Sequence, residues 1–161
     1  PAMGLAHNML LTRDDAVGQV GWLSIAKLEA HAADIIRRFG VKAGGPNALA
    51  KSLSGGNLQK YVIGREILQE PRALVVNQPT WGVDAGAAAA IRQALLDLAG
   101  RGAAVVVISQ DLDELLELSD RFAALNEGRL SAPVPTEGLT LEQVGLMLGG
   151  AHGMEVAHVA A

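Results

Sequence analysis

The sequence predicts an α/β fold in which helices alternate with the strands of a mainly parallel sheet. Two short apolar runs, residues 73–76 and 104–108, are each bounded by turn-forming residues, which is typical of strands buried in a parallel sheet. The alanine-rich segment between them, residues 87–98, is predicted to be a helix that ends at Gly100 and Gly102. Since neighbouring parallel strands need a long crossover connection, this alternation favours a parallel pair joined by a helix.

An amphipathic helix is predicted upstream of the sheet, beginning at Trp22. Its apolar residues recur at steps of three and four positions, which is the period of one helix face. Arg37 and Arg38 occupy its last turn and Gly40 follows, a combination typical of a helix C-terminus. Residues 41–50, rich in glycine, proline and asparagine, are predicted to form a loop.

A second helix, residues 55–69, is predicted to begin directly after Ser54 and to be closed by Pro71. The Ser54 hydroxyl is suited to accept from the first-turn amides. Gly55 and Gly56 carry no side chain, so an anion could approach those amides closely. Taken alone, Ser-Gly-Gly is more typical of an ordinary glycine-containing turn.

The remainder of the chain is predicted to contain two further helices and a hairpin. Asp111 begins a short helix that ends near residue 118, and Thr140 caps a last helix that ends near residue 148. Between them, Asn126-Glu127-Gly128 is flanked by short apolar segments, residues 122–125 and 129–131, as in a β-hairpin. Residues 149–161 are predicted to be a mobile tail of small residues.

Composition excludes several classes of protein. The 161 residues suffice for one domain, and a net charge of −4 gives no electrostatic reason to expect a nucleic-acid partner. The chain has no cysteine, so disulfides and thiolate metal sites are excluded. The longest uncharged apolar run, residues 103–108, is too short to span a bilayer. These features predict a soluble protein of the cytoplasm.

The octapeptide Leu-Ser-Gly-Gly-Asn-Leu-Gln-Lys, residues 53–60, resembles the signature motif of the ATP-binding-cassette (ABC) ATPases, Leu-Ser-Gly-Gly-x-x-Gln. The resemblance implies a P-loop-type ATPase fold. It also implies that Ser54, Gly55, Gly56 and Gln59 contact the ATP that a partner cassette holds.

Residues 73–80 resemble the Walker B strand of the same family, which usually ends in Asp-Glu-Pro-Thr. This chain has Asn77 and Gln78 in place of the two carboxylates, and neutral amides neither hold a divalent ion well nor accept a proton. Asp84 resembles the D-loop aspartate. Gln110 stands where the switch segment usually has a histidine. The resemblance therefore implies that no catalytic residue of the chain's own site is intact.

The sequence contains no Gly-x-x-x-x-Gly-Lys-[Ser/Thr] motif, so the chain resembles an incomplete cassette without its P-loop portion. Residues 1–130 are predicted to be the C-terminal portion of a cassette. Within it, residues 13–70 are the helical subdomain that carries the signature, and residues 71–130 are the core from Walker B to the switch region. Residues 131–161 are predicted to be a C-terminal helix and tail.

The signature together with Gln-Pro-Thr-x-Gly-x-Asp, residues 78–84, is most similar to the degenerate second cassette of importers for simple sugars and nucleosides. That similarity implies ATP and Mg²⁺ in the assembled complex and neither bound to this chain alone, which by itself is predicted to be inactive. It implies two kinds of partner, a cassette with a P-loop and transmembrane permease subunits. It also implies a peripheral location on the inner face of the cell membrane.

Two other functions stay open, a soluble cassette ATPase of DNA repair or translation and a non-catalytic regulatory remnant. The absence of zinc cysteines and of a basic patch argues against the first. Other candidate site residues are weaker. The four histidines lack metal-ligand spacing, and Ser109 lacks a histidine in a triad-like context. Trp81 is expected either to pack internally or to contact a partner cassette.

The acidic residues near residue 114 are expected to form a solvated helix face, namely Asp111, Asp113, Glu114 and Glu117.

The strand at residues 104–108 is expected to lack a neighbour, because the resemblance places the strand that leads into the P-loop beside it. An open apolar strand edge invites pairing with another chain. Two outcomes are therefore expected, either self-association or a fold in which residues 2–11 return to fill the gap.

Overall fold

A computed structural model of the chain describes residues 2–12 and 24–150. Its contacts divide the chain into two compact units, Pro1–Ile108 and Ser109–Ala161. The first unit contains, in order, α1 (Leu5–Asn8), α2 (Ile25–Arg38), α3 (Gly55–Ile67), β1 (Ala73–Asn77), α4 (Ala85–Gly100) and β2 (Ala104–Ile108). The second contains α5 (Leu112–Leu118), β3 (Arg121–Phe122), β4 (Leu125–Asn126), β5 (Arg129–Leu130), β6 (Val134–Pro135) and α6 (Leu141–Leu148).

Helix α2 ends where the sequence predicts, and the expected start at Trp22 lies outside the described residues. Gly40 has φ of 57°, the left-handed conformation that glycine adopts without a steric penalty. The Val41 N–H then donates to the Ile36 carbonyl oxygen at 3.0 Å, which is the closing bond of a Schellman motif. Lys42, the next residue, is thereby held beside the start of α3.

Helix α1 has no periodic signal in the sequence, yet it is among the most buried segments of the chain. Leu5, Ala6 and Met9 are all at most 1% exposed and pack in a core with α2 and α3. The backbone of this segment is bonded to the loop before α3, with the Leu5 N–H donating to the Ala48 carbonyl oxygen at 2.9 Å. The expectation that residues 2–11 fill the gap beside β2 is therefore wrong, because this helical core needs the same side chains.

Tyr61 of α3 belongs to the same core. Its hydroxyl donates to the Leu5 carbonyl oxygen at 2.6 Å, and the side chain is fully buried. Burial raises the pKa of Tyr61 to about 12, because the ionised phenolate would lose its hydration.

A second core lies on another side of α3. Ile63 and Ile67 pack there against the buried side chains of β1 and α4, which are Leu74, Val76, Ile91, Leu95 and Leu98. Strands β1 and β2 pair in parallel from Ala73 opposite Ala104 to Asn77 opposite Ile108. The predicted parallel pair with a helical crossover is thus present. Helix α3 ends at Ile67, two residues before its predicted end, and Glu70 adopts φ of 49° in the turn that follows.

The opposite face of the β1–β2 pair is open. Val75, Val106 and Ile108 point from this face and are 66%, 52% and 50% exposed. Within the part of the chain that the structure describes, β2 pairs only with β1. Because parallel sheets are ordinarily covered on both faces, this apolar face and the free edge of β2 together form a surface suited to association.

The second unit contains two short antiparallel pairs around a core of Phe122, Ala124, Val144 and Met147. The predicted hairpin is present as β4–β5, with Glu127 and Gly128 both at positive φ in its turn. The predicted strand at residues 122–125 is divided, because β3 pairs with β6 instead. Thr140 and Gln143 form a capping box that begins α6.

No helix in the described ranges is both long and apolar enough to cross a membrane.

The raised pKa of Tyr61 predicts a loss of stability at alkaline pH. The unfolded chain releases the phenol proton near pH 10 and the folded chain near pH 12. This contribution is therefore fully present below pH 10, and about 2–3 kcal/mol is lost as the pH rises toward 12. Tyr61 is the single tyrosine of the chain, so phenolate absorbance reports it directly. A folded-state midpoint near 10 would contradict the prediction, and Tyr61→Phe should remove the pH dependence in this window.

The open sheet face predicts that the chain associates as its concentration rises. Val106→Lys should raise the concentration of half-association by about tenfold or more, because pairing would then bury an ammonium group. Leu130→Lys is the matched control, since Leu130 is 67% exposed on a hairpin of the second unit. Light scattering over a concentration series measures the change. Equal effects of the two substitutions, or a parent chain that stays monomeric throughout, would refute the role of this face.

Candidate functional site

The first turn of α3 presents Ser54 and Gly55 to solvent. Ser54 is the N-cap residue, in an extended conformation, and its side chain accepts from the Asn57 N–H at 3.5 Å. A Cβ built at Gly55 would meet no atom within 4 Å, so the space beside the first-turn amides is open. An exposed helix N-terminus of this kind has unpaired N–H groups and a partial positive charge suited to an anion.

Asn57 connects this turn to the end of α2. Its side-chain amide nitrogen donates to Ser54 Oγ at 2.9 Å, and its side-chain oxygen accepts from the Lys42 N–H at 2.8 Å. Asn57 was not among the predicted site residues. Its position as the third residue after an N-cap serine was the available signal, because N-cap and N3 side chains commonly interact.

Gly56 lies against the loop that precedes α4. A Cβ at Gly56 would be 3.3 Å from the Gly82 carbonyl oxygen and 3.5 Å from Val83 Cα. Asp84, the next residue of this loop, caps α4 through a 2.9 Å bond from the Ala87 N–H. That bond, followed by the positive charge of Lys60, holds the pKa of the Asp84 carboxyl below its usual range. The predicted signature and D-loop residues are thus adjacent.

The Gln59 side chain forms hydrogen bonds to the backbone of this chain. Its amide nitrogen donates to the carbonyl oxygens of Gln78 and Pro79, both at 3.1 Å. Gln78 has φ of 51° and donates its N–H to the Ile108 carbonyl oxygen at 2.7 Å. A non-glycine residue in this conformation needs support from its surroundings, and the Gln59 side chain supplies part of it.

Asn77 and Gln78 follow each other at the carboxyl end of β1, as predicted. Asn77 is exposed on the open face of the sheet, and Gln78 begins the turn. Both side chains are neutral amides, whereas Mg²⁺ is usually held through one or two carboxylates. The residues at this end of β1 therefore do not fit a resident magnesium ion. The described part of the chain also has no group of three or more His, Cys, Asp or Glu residues placed to hold a metal.

Trp81 lies in the same turn and is 78% exposed. The expectation that this side chain packs internally is therefore wrong. The alternative, that Trp81 contacts a partner cassette, stays a prediction.

Gln110 lies in the second unit, exposed, just before α5. The preceding Ser109 hydroxyl donates to Glu114 Oε2 at 2.9 Å. Glu114 is 2% exposed, so the expectation of a fully solvated acidic face is wrong for this residue. The bond offsets part of the cost of that burial, because a carboxylate in the interior needs hydrogen-bond donors. Asp111 caps α5 by accepting from the Glu114 N–H at 3.1 Å.

Comparison with known proteins gives relatives across most of the chain. The chain is 40% identical over 152 residues to a glucose import ATP-binding protein of Haloferax volcanii. It is 42% identical over 151 residues to a nucleoside import ATP-binding protein of Lactococcus lactis subsp. cremoris. It is 34% identical over 142 residues to a ribose import ATP-binding protein of Geobacillus kaustophilus.

These alignments include nearly all of this chain and a minor part of each relative. They cover 92%, 92% and 88% of this chain, but 28%, 30% and 29% of the respective relatives. The chain thus spans less than a third of the length of these relatives. No family model matches the chain.

Solved structures give the fold. A dimeric ATP-binding cassette in a post-hydrolysis state, bound to ADP and phosphate, has a TM-score of 0.69 at 22% identity, covering 86% of this chain and 59% of that one. An inward-facing ABC transporter of the metal-chelate type has a TM-score of 0.72 at 19% identity, covering 92% and 59%. These likenesses confirm the predicted α/β fold of an ABC ATPase.

The two glycines of the first turn should respond differently to the same substitution. Gly56→Ala forces the loop at Gly82 to move, whereas Gly55→Ala enters open space and lowers the entropy of the unfolded chain. Gly56→Ala should therefore be less stable than Gly55→Ala by about 1 kcal/mol. Thermal unfolding of the two variants measures the difference. Equal melting temperatures would show that the contact with residues 82–83 is loose.

Proposed function

The chain has the fold of the ABC ATPases and sequence relatives in sugar and nucleoside import, and we propose that it supplies the signature motif of such an importer. In this role it completes the ATP site of a partner cassette. The observation that carries the proposal is the first turn of α3, where Ser54 and Gly55 are exposed and free of steric cover. Ser54, Gly55 and Gly56 then contact the γ-phosphate of ATP bound by the partner.

The chain's own nucleotide site is degenerate in this proposal. Asn77 and Gln78 carry no charge where the family usually has two carboxylates. No magnesium ion is therefore held here, and no attacking water is activated. ATP and Mg²⁺ are therefore held by the partner cassette, and the isolated chain does not turn over ATP. Gln59 acts indirectly, by bonding the first half of α3 to the turn at Gln78 and Pro79.

The proposed partners are a P-loop-bearing cassette and transmembrane permease subunits, on the cytoplasmic face of the membrane. Two surfaces support a role in a larger assembly. One is the exposed Trp81 next to the first turn of α3, and the other is the open apolar face that carries Val75 and Val106. Asp84, at the end of the loop that contacts Gly56, belongs to the same partner-facing region.

The imported solute is proposed only as a class, a simple sugar or a nucleoside. The relatives named for glucose, ribose and nucleoside import are similarly distant from this chain, at 40%, 34% and 42% identity. Their names favour import over an ATPase of DNA repair or translation.

Substitutions in the assembled transporter test the proposal. Ser54→Ala removes a donor to the γ-phosphate and should lower ATP turnover by about 100-fold or more, as at other sites that stabilise an oxyanion. Gln78→Ala should change turnover by less than about twofold, since that residue lies in an inactive site. Turnover of the reconstituted transporter with Mg-ATP is the measurement.

Ser52→Ala is the matched control, because Ser52 lies two residues before Ser54 and its hydroxyl donates to the Leu49 carbonyl oxygen. Melting temperatures of all variants separate loss of function from loss of fold. Similar losses for Ser54→Ala and Gln78→Ala, or none for either, would contradict the assignment.

A further inference from the structure

We propose that Asn57 is a positioning residue that makes the Ser54 hydroxyl a hydrogen-bond donor toward phosphate. The inference rests on the proposed function, in which Ser54 contacts the γ-phosphate of a partner's ATP. It concerns how this chain prepares the hydroxyl before the nucleotide arrives.

The geometry around Ser54 Oγ determines the direction of its hydrogen. A serine hydroxyl has one hydrogen to donate and two lone pairs that accept. Both acceptor positions are used by Asn57, through its side-chain amide nitrogen at 2.9 Å and its backbone N–H at 3.5 Å. Within the described ranges this hydroxyl donates no hydrogen bond. Its hydrogen is therefore directed outward, into the open space beside Gly55.

The orientation of the Asn57 amide is itself fixed. Its side-chain oxygen accepts from the Lys42 N–H at 2.8 Å. Because a backbone N–H can only donate, the oxygen must face Lys42, and the amide nitrogen then faces Ser54. The Schellman motif at Gly40 holds Lys42 in this place, so the end of α2 determines the orientation of the Asn57 side-chain amide.

A hydroxyl held as a donor suits an anion. The oxygens of an ionised phosphate accept hydrogen bonds only, so a hydroxyl already oriented to donate needs no reorganisation when the phosphate arrives. A freely rotating hydroxyl would have to lose that rotational freedom on binding. Asn57 therefore contributes to phosphate recognition although its side chain does not touch the phosphate.

Asn57→Asp separates this role from a structural one. The aspartate keeps an oxygen for the Lys42 N–H, and a carboxylate in the first turn of a helix is stabilising. Its second oxygen has no hydrogen to give, so it would accept the Ser54 hydroxyl hydrogen and turn it inward. The variant should melt no lower than the parent chain while its transporter loses turnover. Asn57→Gln, which carries the same amide on a longer side chain, should retain more turnover than Asn57→Asp.

A double-mutant cycle in the reconstituted transporter with Mg-ATP completes the test. Asn57→Asp should lower turnover by about tenfold or more in the parent. In the Ser54→Ala background it should change turnover by no more than about twofold, because the group through which it acts is absent. Simple repulsion between the new carboxylate and the phosphate would give the same loss in both backgrounds.

The outcomes distinguish the two proposals. If Ser54→Ala leaves turnover intact, the proposed function fails and this inference fails with it. If Ser54→Ala lowers turnover while Asn57→Asp does not, or if Asn57→Asp acts equally in both backgrounds, only the positioning role is overturned. A lowered melting temperature of Asn57→Asp that accounts for its lost turnover would also overturn it.

Discussion

The close approach of α3 to α2 at Gly64 is the contact on which the first unit depends. A Cβ at this position would lie 2.6 Å from Phe39 Cδ2 and 2.9 Å from Ile35 Cγ2, distances that no side chain could occupy without displacing the ring. Glycine destabilises a helix, but at this position it lets the Phe39 ring pack directly against the backbone of α3. Helix α3 thereby lies between two cores, with Tyr61 in one and Ile67 in the other.

This packing and three further contacts hold the exposed first turn of α3 in place. Gln59 is bonded to the carbonyl oxygens after β1, and Gly56 rests on the loop before α4. Asn57 is bonded to the residue that follows α2. The first turn is thus connected to three separate parts of the fold, while Ser54 and Gly55 remain exposed to solvent. A site that binds by donating from its backbone benefits from this arrangement, because its N–H groups are held before a ligand arrives.

Local signals in the sequence were sufficient for most elements of the first unit. Ser54 and Asp84 begin helices and Gly40 ends one, since each acts through its own backbone conformation or the nearest amides. The misses have tertiary causes. Helix α1 is defined by contacts with residues more than 40 positions away, such as Ala48 and Tyr61, and no periodicity within four residues could reveal it. Glu114 is an exception, since the Ser109 hydroxyl that donates to its buried carboxylate lies only five residues earlier. The bonds of Gln59 to the turn after β1 and of Asn57 to Lys42 could not be predicted, because they depend on where two loops meet α3.

The bond between Tyr61 and Leu5 has a consequence for how the chain is made. The two residues are 56 positions apart, and Arg65 is bonded to Asn8 across 57 positions. During synthesis Leu5 and Asn8 emerge long before the helix that encloses them. Leu5, Ala6 and Met9 therefore lack their partners in α2 and α3 until those helices are added, and the helical core closes only after Arg65 has been translated. Although this part of the fold is helical, its completion is a non-local event, with the slow loop closure more typical of β-proteins.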